Sequence, residues 1–175
     1  MKITEPITVD LLQFFKTGRF DCLKLGQTKE WILCNFPEPD EVYPNNYESP
    51  IWYYGRIELH FYDNDQLFLI YTDHIDTLTA GENIKFNKWI FGEPEKSTLA
   101  YVIHHLNKER ISFKLSHGTL PQGFVTTAIV LSDSNVTLGF APDEIEDDIN
   151  EFLSRCKYED SNGFKLTSFS LSNNE

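Results

Sequence analysis

Apolar and polar residues alternate most cleanly between Ile57 and Phe61, where Glu58 and His60 separate Ile57, Leu59 and Phe61. A period of two belongs to a half-buried strand. Asp63, Asn64 and Asp65 follow with turn chemistry, because their short side chains bond nearby backbone and tolerate a left-handed conformation. Leu67 to Tyr71 then returns as a nearly continuous apolar run, as a central strand would. The pattern predicts a β-hairpin within 51–72, at the middle of a sheet.

Thr8 can cap a helix whose first turn holds Asp10, with Leu11, Leu12 and Phe15 inward and Gly18 as a left-handed stop. Thr28 can cap a short second helix carrying Trp31, Ile32 and Leu33, which Pro37 and Pro39 end. Residues 37–50, with four prolines, predict a long loop, and residues 73–82 a second one. Ile84 to Phe91 reads as a strand, broken by Gly92-Glu93-Pro94. Residues 97–109 give the clearest helix, capped by Ser97, with Leu99, Val102, Ile103 and Leu106 on one stripe. Ile111, Phe113 and Leu115 alternate as a strand. Phe124 to Leu131, a turn at Asp133-Ser134-Asn135, and Val136, Leu138 and Phe140 predict a second hairpin. Asp143 can cap a last helix with Ile145, Ile149, Phe152 and Leu153 inward.

The elements add up to an α+β fold: a mainly antiparallel sheet built from two hairpins, with three to four helices packed against it. Residues 1–158 form a single domain. Helix followed by hairpin occurs twice, which suits two similar halves, 1–92 and 93–158, although period-two alternation alone also produces such matches. Ile57-x-Leu59-x-Phe61 and Val136-x-Leu138-x-Phe140 share one pattern. Residues 159–175, rich in Ser and Asn, read as a polar C-terminal tail or an edge strand.

Charge narrows the partner. The chain has 175 residues, with 27 Asp and Glu against 15 Lys and Arg, a formal net of -12. Such a surface repels phosphate backbones and disfavours nucleic acid. It suits a basic protein, and it also serves plain solubility. Three widely spaced cysteines (Cys22, Cys34, Cys156) form no C-x-x-C pair, which fits reduced thiols in a cytoplasmic compartment. The N-terminus has no apolar signal core, and no apolar run approaches the ~20 residues of a membrane span.

Chemistry is harder to find. His104 and His105 are neighbours on a helix and diverge by about 100°, so they do not share a metal. His60 reads as a cross-strand surface residue, and His74 with Asp73 and Asp76 as a solvated turn. No nucleophile elbow or phosphate loop is present. No catalytic residue, metal ligand or cofactor is assigned. Two features can carry recognition. On the predicted last helix, Glu144, Asp147, Asp148 and Glu151 make an outer anionic face, which also suits an ordinary solvated helix. Trp52, Tyr53 and Tyr54 are either interface anchors or sheet packing.

One likeness accompanies these residues. Leu25-Gly26, Trp31 to Leu33, Pro37-Glu38-Pro39, and Trp52-Tyr53-Tyr54-Gly55 with Ile57-Glu58-Leu59-His60-Phe61 resemble small bacterial immunity-type proteins found with polymorphic toxins. The resemblance covers residues 11–72. It implies no catalysis, no cofactor and a toxin as partner, and it carries over no functional residue. The sequence therefore leads to a non-catalytic acidic binding protein. The alternative is an enzyme or small-ligand domain with its site in a crevice between the hairpins.

Overall fold

In the computed structural model, residues 6–43, 50–119, 125–142 and 163–173 are described. The fold is α+β. Eight antiparallel strands make the large sheet: β2 (Glu41–Tyr43), β3 (Ile51–Tyr54), β4 (Ile57–Phe61), β5 (Leu67–Thr72), β7 (Phe113–Thr119), β8 (Val125–Leu131), β9 (Val136–Pro142) and β10 (Phe164–Ser172). Their spatial order is β2-β3-β4-β5-β10-β9-β8-β7. A small parallel sheet pairs β1 (Ile7–Asp10) with β6 (Ile84–Asn87). Among the described residues three α-helices complete the set: α1 (Leu11–Thr17), α2 (Lys29–Asn35) and α3 (Leu99–Lys108).

Local chemistry explains most boundaries. Asp10, not Thr8, caps α1: its carboxylate accepts the Gln13 N–H at 3.1 Å and the Asn87 side-chain amide at 3.0 Å. The residue expected inside the first turn is the cap, because Thr8 is taken up in β1. Gly18 ends α1 at φ 66°, and its N–H bonds the Phe14 carbonyl. Thr28 caps α2 as expected. Thr98, not Ser97, caps α3, accepting the Tyr101 N–H; Ser97 is buried and donates its hydroxyl to the Ile90 carbonyl. The strand expected over 84–91 stops at Asn87, and residues 89–92 coil into a 3₁₀ turn that buries Ile90 and Phe91. The loop expected over 37–50 carries β2 at its centre. The helix expected from Asp143 lies outside the described residues.

The largest departure concerns the stretch read as a polar tail or edge strand. Residues 164–172 form β10, which lies in the centre of the sheet and pairs with both β5 and β9. Phe164, Leu166, Phe169 and Leu171 are all buried. The intervening Lys165, Ser168, Ser170 and Ser172 are only partly exposed, so the small polar set belongs to the other face of an interior strand. β10 also fills the space between the two predicted hairpins.

The pairings obey a two-fold pattern about the β5–β10 seam. Tyr71 faces Ser170 at its centre, Thr72 pairs with Phe169, and Ile70 with Leu171. Thr28 bridges Gln66, just before β5, as Thr98 bridges Lys165 in β10. The Leu67 N–H bonds the Gln27 carbonyl at 2.8 Å, and the Leu166 N–H bonds the Ser97 carbonyl at 2.9 Å. A bulge leaves Phe68 unpaired in β5 and Thr167 unpaired in β10. In-register parallel pairing of β1 with β6, from Ile7↔Ile84 to Asp10↔Asn87, follows the same symmetry. The two Φ-x-Leu-x-Phe strands, β4 and β9, occupy equivalent places.

One face of the sheet packs on the helices and the small sheet. Phe169, next to the seam's centre, meets Phe14, Phe15 and Phe91 with ring centroids 5.8, 5.6 and 5.7 Å away. Phe14 also meets Phe20 edge-on at 5.4 Å. Phe169→Ala removes the ring that ties both halves together, and a loss of ~3–5 kcal/mol is expected in chemical denaturation. Gly18→Ala forces a side chain into a left-handed position, with its Cβ 2.8 Å from the Ser134 carbonyl oxygen. A loss of ~1 kcal/mol or more is expected in the same measurement.

Candidate functional site

The two-residue turn at Gly55-Arg56 sets which side chains of β3 face outward. It puts Tyr54 opposite Ile57, Tyr53 opposite Glu58 and Trp52 opposite Leu59. Trp52 and Tyr54 therefore share the inward face with Ile57 and Leu59. Trp52 packs on Phe61 at 4.8 Å. Tyr54 packs on Phe36 at 5.4 Å and donates its hydroxyl to the Pro37 carbonyl. Burial first, then Asp40 and Glu38, pushes the Tyr54 hydroxyl well above its ordinary pKa. Both side chains are buried in the core. Of the aromatic trio, only Tyr53 turns outward. Glu144, Asp147, Asp148 and Glu151 lie outside the described residues.

The outward face has a feature the sequence reading missed. One unbroken row crosses all eight strands: Glu41, Tyr53, Glu58, Tyr71, Ser170, Thr137, Val130, Lys114. Its first half is aromatic and acidic, and its second half is small, β-branched or hydroxylated up to Lys114, which ends the row on the opposite edge. Tyr43 joins the first half, edge-on to Tyr53 at 5.3 Å. Burial first, then Glu58 and Asp73, raises the Tyr53 and Tyr71 hydroxyls above their usual range. They stay protonated at neutral pH and present hydroxyl tips among carboxylates. Beside them the Glu58 carboxylate lies 2.8 Å from His60 Nε2. Phe68, the bulged residue, stacks on Tyr62 at 4.5 Å and meets the His60 ring at 6.2 Å. The signal was in the register: a two-residue turn fixes both faces once one strand's inward face is known.

The edge of this face is held by a carboxylate latch. The Gly55 N–H donates to Asp40 Oδ2 at 2.7 Å. Gly81, at φ 78°, lets the Asp40 carboxylate lie against its backbone, where a Cβ would collide. The Arg56 N–H bonds the Thr79 carbonyl at 2.9 Å. Asp40, Glu41, Tyr43, Tyr53, Gly55 and Arg56 line an open hollow of about 300 Å³ here. A second hollow, of about 290 Å³, is lined by Asp73, Asp76, Glu95 and Lys165 with neighbouring apolar groups.

The remaining titratable groups stand apart. His74 lies 3.5 Å from Asp73, both exposed. Burial first, then His104 and Lys108, lowers the pKa of His105, whose ring lies 4.4 Å from Tyr101. Among the described residues no group of three or more His, Cys, Asp or Glu is placed to hold a metal ion. No described helix is long and apolar enough to cross a membrane. Burial first, then Asp21, pushes the Cys22 thiol up to about 11, the reverse of an activated nucleophile. Iodoacetamide labelling of Cys22, followed by peptide mass mapping, should therefore stay slow at neutral pH. Its rate should reach half-maximum near pH 11, not near the ordinary thiol value.

No family model matches the chain, and no curated protein or solved structure shows significant similarity to it.

Proposed function

We propose that the chain is a non-catalytic, cytoplasmic binding protein that docks a basic protein on the outward face of β3 to β5. An immunity protein that neutralises a basic toxin by covering its surface is the form this reading takes. One observation supports it above the others: Tyr53, Glu58 and Tyr71 stand side by side on an outward sheet face, with Asp73 nearby. Tyrosines bury area and keep a polar tip, and their faces attract ammonium and guanidinium groups. The carboxylates add charge complementarity, and the net charge of -12 steers a basic partner from a distance. The acidic set Glu144, Asp147, Asp148 and Glu151 would extend the same attraction.

The test is affinity capture from native cytosol with washes of rising salt, using the wild type and Glu58→Gln/Asp73→Asn. The wild type is expected to hold one protein of high isoelectric point that leaves as salt rises. The variant is expected to associate about tenfold more slowly with that protein at low salt. Equal association rates for the two would refute the assignment of this face. Tyr71→Ala should speed dissociation of the same complex by about tenfold or more, read by surface plasmon resonance.

A further inference from the structure

The two outer edges of the large sheet are β2 and β7, and among the described residues no strand covers either one. We propose that they fit each other: the β7 edge of one copy receives the β2 edge of a second copy, continuing the sheet head to tail. This does not rest on the docking reading above.

Strand direction is the first ground. The sheet is antiparallel throughout and has eight strands. With an even number, β2 and β7 run in opposite directions. A neighbour placed by continuing the sheet then presents β2 antiparallel to β7, the more stable pairing.

Charge is the second ground. The row that crosses the outward face ends at Glu41 on one edge and Lys114 on the other. Extending that row into a second copy sets Glu41 opposite Lys114. Opposite charges in directly facing cross-strand positions are mutually stabilising.

Exposed apolar surface is the third ground. In the same register Val42 falls opposite Phe113 and diagonal to Leu115, on the other face of the sheet. Val42 is 53% exposed and Leu115 37% exposed, unusual values for large apolar residues on strands. Each would cover the other's neighbourhood. β7 offers a straight template, since its pairing with β8 runs without a bulge from Phe113 to Thr119. Natural edges are often protected by a bulge or a lysine. Here the lysine has a complementary glutamate waiting on the opposite edge.

β2 has only three residues, so the joint is small and association is concentration-dependent. Two copies of net charge -12 also repel each other, so added salt should strengthen the contact. A head-to-tail joint leaves one free edge at each end, and assembly continues beyond the dimer unless the rotation closes.

The test is site-specific photo-crosslinking on the full chain. Benzoylphenylalanine replaces Leu115, and samples are irradiated at rising protein concentration in about 0.3 M salt. The expected product is a covalent dimer joined to residues 41–43 of the second copy, with a yield that rises with concentration. A product joined to β7 of the second copy would mean a symmetric contact and would overturn the proposal. So would a product joined only to a foreign protein, or a sedimentation mass of one chain at hundreds of micromolar. The charge pair gives a second readout. Glu41→Lys and Lys114→Glu are each expected to weaken self-association roughly fivefold, and the double exchange to restore it. Both sites are exposed, and circular dichroism checks that each variant is folded. Single exchanges with no effect, or a double exchange no better than either one, would overturn the register.

Discussion

Thr72 pairs with Phe169 and Ile70 with Leu171, and through these rungs each half of the large sheet completes the other. Without them β5 and β10 would both be bare edges over a half-covered core. Phe169 stands on this seam and touches rings from α1 and from the 3₁₀ turn at 89–92. The helices are fastened to the same place. The carbonyl before each capping threonine, at Gln27 and Ser97, accepts an N–H from the strand beside the seam. Sheet, helices and small parallel ladder thus share one axis.

What was legible in the sequence follows from range. The hairpin of β4 and β5 could be read because strand, turn and strand lie within 16 residues, and alternation with Asp-Asn-Asp needs no distant partner. The stripe of α3 was legible for the same reason. β10 was not. Alternation of Phe164, Leu166, Phe169 and Leu171 marks a strand but says nothing about its neighbours, and those neighbours come from elsewhere in the chain. Its Ser-rich character pointed to solvent. In an interior strand the same small hydroxyls fill the outward face beside Thr137 and Gly139. The N-caps at Asp10 and Thr98 were each misplaced, by two residues and by one, because a tertiary strand or a buried hydroxyl claimed the expected residue.

Half of the aromatic and acidic row on the outward face was legible. Tyr53 could be singled out by type, but Trp52 and Tyr54 beside it are core, sorted only by the register of the Gly55-Arg56 turn. Tyr71 was hidden in an apolar run that looked wholly interior. The two-fold pattern makes the contrast plain. Equivalent rows on the two sides of the seam carry Tyr71, Glu58 and Tyr53 on one side and Ser170, Thr137 and Val130 on the other. The backbone pairing is equivalent on the two sides, and the outward side chains are not.

The position of β10 also has a temporal meaning. Ribosomes deliver β5 and β9 before β10 exists, so both strands wait with unsatisfied backbone edges and exposed inner faces. Partners roughly a hundred residues apart must then find each other, a slow kind of closure. The nascent chain is thus most vulnerable to wrong strand pairing between the emergence of β5 and that of β10, the strand that ends that vulnerability.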